Sequence, residues 1–426
     1  MKILVVTHYF WPESFRINDL ATHFANAGNE VTVLTGLPNY PEGHLNPDYK
    51  NDPHSFVQYG SVKVCRIPHV LRGSTKISLV LNYFSFLTSA SILGAWKLRK
   101  TNFDVVFVFA VSPITVAIPA IMIGRLKRAP IFLWVQDLWP ETLSAVGIVR
   151  SSRLLALVGG LVRWIYARCD HILIQSQAFA SSIRKYSPEA DQPGKMLYLP
   201  NWAEEVFGQV SQVTQNAVTR REGLFTVMFA GNIGEAQDFP ALLDAAELLK
   251  SNDRIRWIIV GDGRMREWVS SEVTRRRLTD CFRLVGRFPM ETMPDFFKCA
   301  DALLVSLKAN EIFSQTVPGK VQSYLASGKP VVGMLDGEAR AVIEKSAGGK
   351  ACGSGDSENL AKIIEELAKA SPGELAQMGE NGRQYYEQQF ERGALFARLE
   401  GYFQAAIEGK PLSDASDATT KSSTQS

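Results

Sequence analysis

The sequence predicts an α/β protein made of two consecutive domains, each with an open parallel sheet wrapped by helices. The chain has 426 residues, which exceeds most single cores and suggests two domains of about 200 residues each. Short apolar runs alternate with helical stretches, and this alternation pauses near residue 200 and then restarts. A content of 46% hydrophobic and 21% charged residues is ordinary for a folded soluble protein.

The first half begins with a predicted strand in "KILVVTHYF", because its apolar run of about five residues is too short for the hydrophobic region of a signal peptide. A helix is predicted near Ile17 to Ala27. Short apolar runs that alternate with helical stretches are typical of a parallel sheet covered by helices. The further strands predicted in this half are "NEVTVLTG", "FDVVFVFA", "APIFLWVQD" and "CDHILIQS".

The second half begins after "MLYLPNW", and we place the hinge between the domains near Pro200 to Trp202. The strands predicted here are "FTVMFAGN", "IRWIIVGDG", "FRLVGRF", "ADALLVSL" and "KPVVGML". The predicted domains are therefore 1–201 and 202–408, with the last helix free to stay with the second domain or to pack back on the first. Residues 409–426 are small and polar and predict a disordered tail.

Two apolar stretches are long enough to raise the question of a membrane span. The uncharged stretch from Val105 to Ile123 is interrupted by two prolines, which favours a strand, a turn and a helix. The stretch from Ile77 to Trp96 is followed by Lys97, Arg99 and Lys100. It remains open as a span, an interfacial helix or a packed helix.

The charge of the chain is unevenly distributed. Residues 1–201 contain 20 basic and 12 acidic residues, a net charge of +8, whereas the remainder has a net charge of −5. Because no basic–aromatic nucleic-acid motif appears, we expect an anionic membrane surface or a phosphorylated lipid as the partner, and no nucleic acid. The basic, apolar segment "RLLALVGGLVRWIYAR" supports this interpretation. The sequence thus predicts a cytoplasmic protein held peripherally on the inner face of the plasma membrane.

No metal or cofactor is expected from the motifs. The five cysteines share no CxxC or metal-like spacing, and no DxD-like pair follows a predicted strand. The first loop, "HYFWPESFRIN", lacks both the GxGxxG and the Walker pattern, so the chain is not predicted to bind a dinucleotide or to be a P-loop enzyme. The lone GxG in "VGDGRMREW" indicates a tight turn after a strand.

Two segments of the second half predict a diphosphate site. In "FAGNIGEAQDFPALLDAAELL" a strand ends at Gly231 and Asn232, and the next helix starts after Pro240; a plain turn remains the alternative. In "SQTVPGKVQSYLASGKPVV" Lys320 follows Gly319 as a helix begins. A lysine is unfavourable at a helix N-terminus but suits a phosphate, although a solvated lysine remains the alternative.

With these segments, the chain resembles the retaining glycosyltransferases of family 4, whose GT-B fold has two Rossmann-like domains facing each other across a cleft. The resemblance extends over nearly the whole chain, through "HYFWPE", "WVQDLWPE", "LPNW", "AGNIGEAQ", "VGDG", "VGRF" and "VPGKVQSYLASGKPVV". The PNW and GNIGxxQ variants are similar to those of bacterial members that build O-antigen, capsule and colanic-acid-type exopolysaccharides. The resemblance implies a UDP-linked donor, here an N-acetylated amino sugar, and a lipid-diphosphate-linked glycan as acceptor.

The donor site that the resemblance implies departs from the family pattern. Many members bind the donor sugar and the ribose with two glutamates, and aligned positions here hold Gln315 and Ser323. Where members have an arginine and a lysine for the diphosphate, this chain has Asn232 and Gln237, so Lys320 becomes the leading phosphate cation. The remaining donor-binding residues expected from the resemblance are Gly231, Arg287 and Glu311, the last as a replacement for the lost sugar-binding carboxylate.

On the acceptor side, the resemblance places Asp137 at the site, whereas Gln136 stands where members usually have a histidine. Asp137 is expected to orient the acceptor hydroxyl or to stabilise positive charge at the anomeric carbon; capping of the next helix is the alternative. Glu13 and Arg16 are expected to bind acceptor sugar or phosphate, with a local ion pair as the alternative.

The resemblance implies front-face transfer with retention, which needs no protein nucleophile and relies on orientation and on charge stabilisation of the leaving diphosphate. We therefore expect an active enzyme with Asp137, Lys320 and Gln315 at the catalytic centre. Two alternatives stay open: a nucleotide-sugar 2-epimerase on the same fold, and an inactive sugar-nucleotide-binding partner subunit.

Overall fold

The computed structural model describes residues 1–73, 75–145, 149, 151–204, 206 and 218–412. Contacts divide the chain into two compact units. Of the described residues, the first contains those of Met1–Leu199 together with 396–412, and the second contains those of Pro200–Leu395. Residues 396–408, which the sequence left free to join either domain, therefore pack with the first unit. The predicted tail lies, from residue 413 onward, outside the described residues.

The first unit is built on an eight-stranded sheet with the order β3-β4-β2-β1-β5-β6-β7-β8. Its strands run parallel, except that β3 is antiparallel to β4 at one edge of the sheet. The strands are β1 (Lys2–Thr7), β2 (Glu30–Thr35), β3 (Gln58–Tyr59), β4 (Val62–Arg66), β5 (Val105–Ala110), β6 (Ile131–Val135), β7 (His171–Ile174) and β8 (Met196–Tyr198).

Helices cover both faces of this sheet. They are α1 (Arg16–Asn26), α2 (Pro47–Asn51), α3 (Lys76–Ser89), α4 (Ala95–Lys97), α5 (Ala117–Lys127), α6 (Glu141–Ala145), α7 (Ser152–Tyr166) and α8 (Phe179–Tyr186). A π-helical turn, Ala90–Gly94, joins α3 to α4. Helices α3, α5 and α7 pack side by side on one face, over a buried cluster that includes Val106 and Val108.

The opposite face of the sheet carries α1 and the last helix of the chain, α17 (Arg392–Ile407). The ring of Phe403, in α17, lies between 5.0 and 5.7 Å from those of Phe24, Phe107 and Phe132. Successive residues of a strand point to opposite faces, so Phe107 contacts α17 while Val106 and Val108 face α5.

The second unit has a six-stranded, fully parallel sheet with the order β11-β10-β9-β12-β13-β14. Its strands are β9 (Phe225–Ala230), β10 (Ile255–Val260), β11 (Phe282–Gly286), β12 (Ala302–Ser306), β13 (Val331–Met334) and β14 (Gly349–Cys352). Its helices are α9 (Phe239–Leu248), α10 (Arg266–Arg275), α11 (Met293–Lys298), α12 (Glu311–Gln315), α13 (Gly319–Ala326), α14 (Gly337–Lys345), α15 (Ser357–Lys369) and α16 (Pro372–Gln389).

The predicted class, two parallel-sheet α/β domains, is confirmed. The stretch from Val105 to Ile123 forms β5 and α5, as its prolines and apolar run indicated. Among the described residues, one continuous helical stretch, Ile77–Lys97, is long and apolar enough to cross a membrane by length and composition. It comprises most of α3, the π-helical turn and α4, and 22% of its most hydrophobic 18-residue stretch is buried. Its buried part, which includes Phe86 and Ala90, packs against the first sheet.

Candidate active site

A cavity of about 1240 Å³ opens at the carboxyl edge of the second sheet. In open α/β sheets, ligands bind at this edge, where strands on either side of the first strand diverge. Here β9 is the strand where the order reverses, with β10 on one side and β12 on the other. The residues that follow β9, β10 and β11 line the cavity, together with the first turns of α13. This volume exceeds the ~300–1,000 Å³ of typical ligand pockets, so the cavity has room for a large ligand.

Two glycines let the backbone approach closely at the floor of the cavity. Gly231 and Gly261 have φ angles of +139° and +145°, which residues with a Cβ rarely adopt. A Cβ on Gly261 would collide with the carbonyl oxygen of Gly231, and a Cβ on Gly231 would collide with the side chain of Lys320. The turn after β9 therefore requires glycine to hold the lysine in place.

Helix α13 directs Lys320 into this cavity. The helix begins at Gly319 without a side-chain cap, and its Val321 amide donates to the carbonyl oxygen of Pro318, so the amides of Gly319 and Lys320 are the ones that could meet an anion. The ammonium of Lys320 lies 3.6 Å from the centroid of the Phe229 ring. Burial lowers the pKa of Lys320 to about 7. The site therefore holds a cation that an incoming anion would stabilise.

Buried hydrogen bonds fix α13 against the sheet. The hydroxyl of Tyr324 accepts a hydrogen bond from the backbone N–H of Ala230 (3.0 Å) and donates to the carbonyl oxygen of the same residue (3.2 Å). One position earlier, the hydroxyl of Ser323 lies 3.1 Å from Glu204 Oε2 and 3.0 Å from the carbonyl oxygen of Gly319. Glu204 was not predicted, yet it brings a carboxylate into the cavity beside Ser323.

The cavity brings together five of the predicted donor-binding residues: Gly231, Asn232, Arg287, Lys320 and Ser323. Arg287 follows β11 and is exposed, so the cavity wall carries a second cation besides Lys320.

The other three predicted donor residues are not part of the cavity wall. Gln237 closes its own loop, because its Oε1 accepts hydrogen bonds from the backbone N–H of Gly234 and the amide of Asn232. Glu311 is exposed in the first turn of α12. Gln315, at the end of α12, has a buried Oε1 that finds no hydrogen-bond partner within the described part of the chain. Roles for these three residues in donor binding stay predictions.

In the first unit, Asp137 follows β6 at the carboxyl edge of the sheet. Its Oδ2 accepts hydrogen bonds from the backbone N–H (2.9 Å) and hydroxyl (2.8 Å) of Ser112, which follows β5. The indole of Trp139 donates to the same hydroxyl. Asp137 is thus tied to the neighbouring strand end, and it remains half-exposed.

Glu13 lies in the loop after β1, and this carboxylate organises the backbone. Its oxygens accept hydrogen bonds from the backbone N–H groups of Phe10, Asn39 and Tyr40, at 3.2, 2.7 and 2.6 Å. Burial raises its pKa to about 7, although these three bonds favour the ionised form. Arg16 begins α1 and is half-buried. A direct acceptor contact for either residue stays a prediction.

Arg72 is a cation at this edge that the sequence did not point to. Its guanidinium donates to the hydroxyl of Tyr9 (3.2 Å) and lies over the ring of Tyr40, 5.4 Å from the centroid. The hydroxyl of Tyr83 is within electrostatic range of both Arg72 and Asp137, and burial raises its pKa. In the described part of the chain no carboxylate lies within ion-pair distance of Arg72, so this charge is available to a ligand.

Comparison with known families identifies both units. Residues 15–201 match the family model Glycosyltransferase Family 4, and residues 225–370 match the model Glycosyl transferases group 1. Together the two models span most of the chain. The chain is a glycosyltransferase made of a family 4 domain followed by a group 1 domain.

Relatives of this glycosyltransferase agree with the assignment. It is 24% identical over 345 residues to WcaI of Escherichia coli (strain K12), provisionally described as a colanic acid biosynthesis glycosyl transferase, and the match covers 77% of this chain and 82% of WcaI. Among solved structures, Anabaena Alr3699/HepE in complex with UDP has a TM-score of 0.68 at 14% identity, covering 95% of this chain and all of that one. The lipopolysaccharide outer core galactosyltransferase WaaB has a TM-score of 0.62 at 14% identity, covering 96% and 99%. The two solved structures establish the GT-B fold.

The arrangement in this glycosyltransferase is suited to stabilising negative charge on a leaving diphosphate. Lys320, the uncapped start of α13 and the close backbone turn at Gly231 all line the cavity, and such groups stabilise charge where it develops. Across the residues that the structure describes, no group of three or more histidine, cysteine or acidic side chains is placed to hold a metal ion. Metal independence stays a prediction.

Proposed function

We propose that this glycosyltransferase moves a sugar from a UDP-linked donor, with retention, to a lipid-diphosphate-linked glycan in the synthesis of a bacterial surface polysaccharide. The observation that carries the proposal is the cavity of the second unit, in which Lys320 and the uncapped N-terminus of α13 meet. An N-acetylated amino sugar is the proposed donor sugar. The relationship to WcaI supports the polysaccharide role.

The diphosphate of the donor would bind at the start of α13. Amides of a helix N-terminus attract phosphate, and the ammonium of Lys320 adds a full positive charge beside them. The structure of the Anabaena relative with UDP-glucose, at 14% identity and a TM-score of 0.64, supports a nucleotide-sugar donor of this type.

Glu204 would hold the ribose of the donor. Ser323 lies three positions after Lys320, about one helical turn further along α13, and its hydroxyl directs Glu204 into the cavity. A carboxylate accepts two hydrogen bonds at once, so it suits the paired 2′- and 3′-hydroxyl groups of a ribose. The carboxylate that Ser323 lacks would thus come from the segment that begins the second unit.

The acceptor would bind to the first unit near Asp137 and Arg72. Asp137 is oriented by Ser112 and can accept the hydrogen bond of an acceptor hydroxyl. Arg72 has no carboxylate within ion-pair distance in the described part of the chain, and a guanidinium binds phosphate oxygens in pairs. Its position near Asp137, through Tyr83, fits an acceptor whose sugar is linked to a diphosphate.

No protein nucleophile is required by this mechanism. The acceptor hydroxyl attacks the anomeric carbon from the side of the leaving group, and the departing phosphate oxygen accepts its proton. Lys320 and the amides of α13 stabilise the charge on that oxygen, so the reaction needs no metal ion.

The test is UDP release by purified protein with UDP-sugars, in the presence or absence of a lipid-diphosphate-linked acceptor and of excess chelator. We expect release only when donor and acceptor are both present, with the α-configured product and no loss in chelator. Conversion of the donor to its 2-epimer without acceptor would support the epimerase instead. Strict dependence on added Mg²⁺ or Mn²⁺ would contradict the metal-free mechanism.

A further inference from the structure

Three neighbouring segments of the first unit contain no acidic residue. They are residues 76–100, with α3 and α4, residues 117–128, with α5, and residues 152–168, with α7, and their helices form one layer on one face of the sheet. They contain ten basic residues: Lys76, Lys97, Arg99, Lys100, Arg125, Lys127, Arg128, Arg153, Arg163 and Arg168. We call this set of three segments the basic helix layer.

The outer surface of the basic helix layer is apolar. Phe84, Ile92 and Trp96 are 60%, 69% and 60% exposed, and with Ile77 and Leu81 they form a stripe along α3 and α4. Leu126, at the end of α5, and Leu157, in α7, are 69% and 72% exposed. Single exposed apolar residues are common, whereas contiguous apolar surface of this kind marks a site of interaction.

Eight of the ten basic residues lie at the C-terminal ends of α4, α5 and α7, whereas Lys76 and Arg153 stand at the N-terminal ends of α3 and α7. Each helix leads into the next parallel strand, so the C-termini of α4, α5 and α7 lie at the amino edge of the sheet, opposite Asp137. The ammonium of Lys127 donates to the carbonyl oxygen of Arg99 (2.7 Å), which joins the ends of α5 and α4. The nearby carboxylates of Asp104 and Asp170 accept hydrogen bonds from backbone N–H groups of adjacent strands. These two carboxylates keep their negative charge, but the basic residues at the ends of α4, α5 and α7 outnumber them.

Two tryptophan–arginine stacks occupy the same edge. The guanidinium of Arg99 lies 4.3 Å from the centroid of the Trp96 ring, and that of Arg168 lies 4.2 Å from the centroid of the Trp164 ring. Tryptophan is enriched where membranes meet water, and stacked arginines place a cation at the same depth. Because the same tryptophan–arginine stack occurs at the ends of two helices of the layer, we assign both stacks to one interaction surface.

We propose that the basic helix layer docks flat on an anionic phospholipid membrane, with the stripe of α3 and α4 inserted among the lipids and the basic edge against the headgroups. Interfacial helices combine an apolar face with a rim of lysine and arginine. An anionic bilayer is complementary to this layer, whose three segments contain basic residues and no acidic one. The proposal rests on the proposed function only in that a lipid-linked acceptor requires a membrane.

The buried contacts of α3 favour docking over spanning. Asn82 is buried, and its amide donates to the carbonyl oxygen of Val70 (2.6 Å), while Phe86 and Ala90 pack into the core of the first unit. Insertion of the whole helix would remove these contacts and would place a hydrogen-bonding amide in hydrocarbon. An interfacial position exposes only the stripe to lipid.

Vesicle binding tests the proposal with the full-length protein and needs neither donor nor acceptor, so it is independent of the test of transfer. Two vesicle types are used, phosphatidylcholine alone and an equimolar mixture with phosphatidylglycerol. We expect tighter binding to the mixture, weakened by salt. Replacing three exposed basic residues of the layer by glutamine (Arg99, Lys100, Arg128) should weaken that binding on the order of a hundredfold. The matched control replaces Lys50, Lys63 and Lys345, which lie outside the layer.

A second variant, Phe84→Ser/Ile92→Ser/Trp96→Ser, tests the apolar stripe, and we expect it to lose binding to both vesicle types while UDP affinity is unchanged. Unchanged hydrogen exchange in β5 and β6, the core strands of the first unit, shows that a loss of vesicle binding is not a loss of folding of that unit. Equal vesicle binding by the Arg99/Lys100/Arg128 variant and its control would overturn the proposal. A dimer in sedimentation without vesicles, dissociated by the stripe variant, would assign the stripe to a second copy. Retention in bacterial membranes after both salt and alkaline extraction would assign it to a span.

Discussion

At the scale of single residues, Lys320 is a lysine whose ammonium, among the described residues, has an aromatic ring but neither a carboxylate nor a hydrogen bond. It contacts Phe229 and stands at the start of α13, where the helix dipole disfavours a cation. We expect Lys320→Ala to lower turnover about 10²-fold or more, because a charge that stabilises a leaving group contributes on the order of 3 kcal/mol. The measurement is the rate of UDP release at saturating donor. Lys345→Ala, at the exposed end of α14, is the control, and an equal rate in both variants would remove Lys320 from catalysis.

The lowered pKa of Lys320 predicts that the protein takes up a proton when it binds UDP. With a pKa of about 7 in the free protein, Lys320 is mostly neutral at pH 8. A bound diphosphate favours the ammonium, so the pKa rises on binding and a proton is taken up at pH 8. Below about pH 6 the lysine is already charged, and this uptake vanishes. Calorimetry in buffers of different ionisation enthalpy measures it, and Lys320→Met should abolish the uptake at pH 8. The same uptake in both proteins would place the titrating group elsewhere.

Glu204 predicts a preference for an intact ribose. If its carboxylate holds the 2′- and 3′-hydroxyl groups, UDP should bind roughly 10- to 100-fold more tightly than 2′,3′-dideoxy-UDP, since hydrogen bonds to a charged group contribute about 1.5–3 kcal/mol. Glu204→Ala should remove this difference and leave the affinity for the dideoxy compound unchanged. Glu311→Ala, outside the cavity wall, should keep it.

A rescue variant separates a ribose contact from a change in folding. In Glu204→Ala/Ser323→Glu the carboxylate returns from α13 to nearly the same place, because the Ser323 hydroxyl lies 3.1 Å from the Glu204 oxygen. We expect the preference for UDP to return in part. If Glu204→Ala keeps the full preference, the ribose is bound by other residues. No UDP binding by the natural protein would instead contradict the donor site itself.

At the scale of elements, the turn between β9 and α9 is set by glycine. Gly231→Ala places a Cβ at a φ of +139° and against the side chain of Lys320, so it should both strain the backbone and move the lysine. Gly223→Ala is the matched control, because Gly223 has a φ of +78° and no atom within 4 Å of its would-be Cβ. Both changes should lower the free energy of unfolding by roughly 1–3 kcal/mol, but only Gly231→Ala should weaken UDP binding. Equal UDP affinities for the two variants would contradict the link between this turn and the lysine.

Most strands were predictable, because central parallel strands are buried on both faces and leave continuous apolar runs. β5 and β9, for example, are buried along their whole length. β4 was missed because it lies beside the edge of its sheet and alternates buried with exposed residues. β14 was missed because it lies at the edge of the second sheet and reads Gly-Lys-Ala-Cys, with no apolar run. Edge position thus removes the signal on which strand prediction depends.

At the scale of the whole molecule, the predictable part of the site was the part encoded within one local segment. Gly231 and Lys320 each stand at a strand–helix or turn–helix junction, so their chemistry can be inferred from their neighbours in sequence. Glu204 contacts Ser323, 119 positions away in sequence, and Arg72 contacts Tyr9, 63 positions away. No local sequence pattern therefore predicts the role of either residue. Glu13 was assigned to the acceptor from its loop, whereas its carboxylate bonds to backbone amides 26 and 27 positions away.

The packing of the C-terminal helix α17 leads to a prediction about whether the two units unfold separately. Its Phe403 is fully buried in the first unit and contacts one ring each from α1, β5 and β6. Phe403→Ala should cost about 3–5 kcal/mol there, through lost burial and the cavity left behind. Hydrogen exchange reports local opening, so the amides of β5 and β6 should exchange faster, while those of β9 and β10 should keep their rates. Gln404→Ala, exposed on the same helix, should change neither set. Equal acceleration in β5 and β9 would mean that the chain unfolds as one cooperative body, despite its two separate cores.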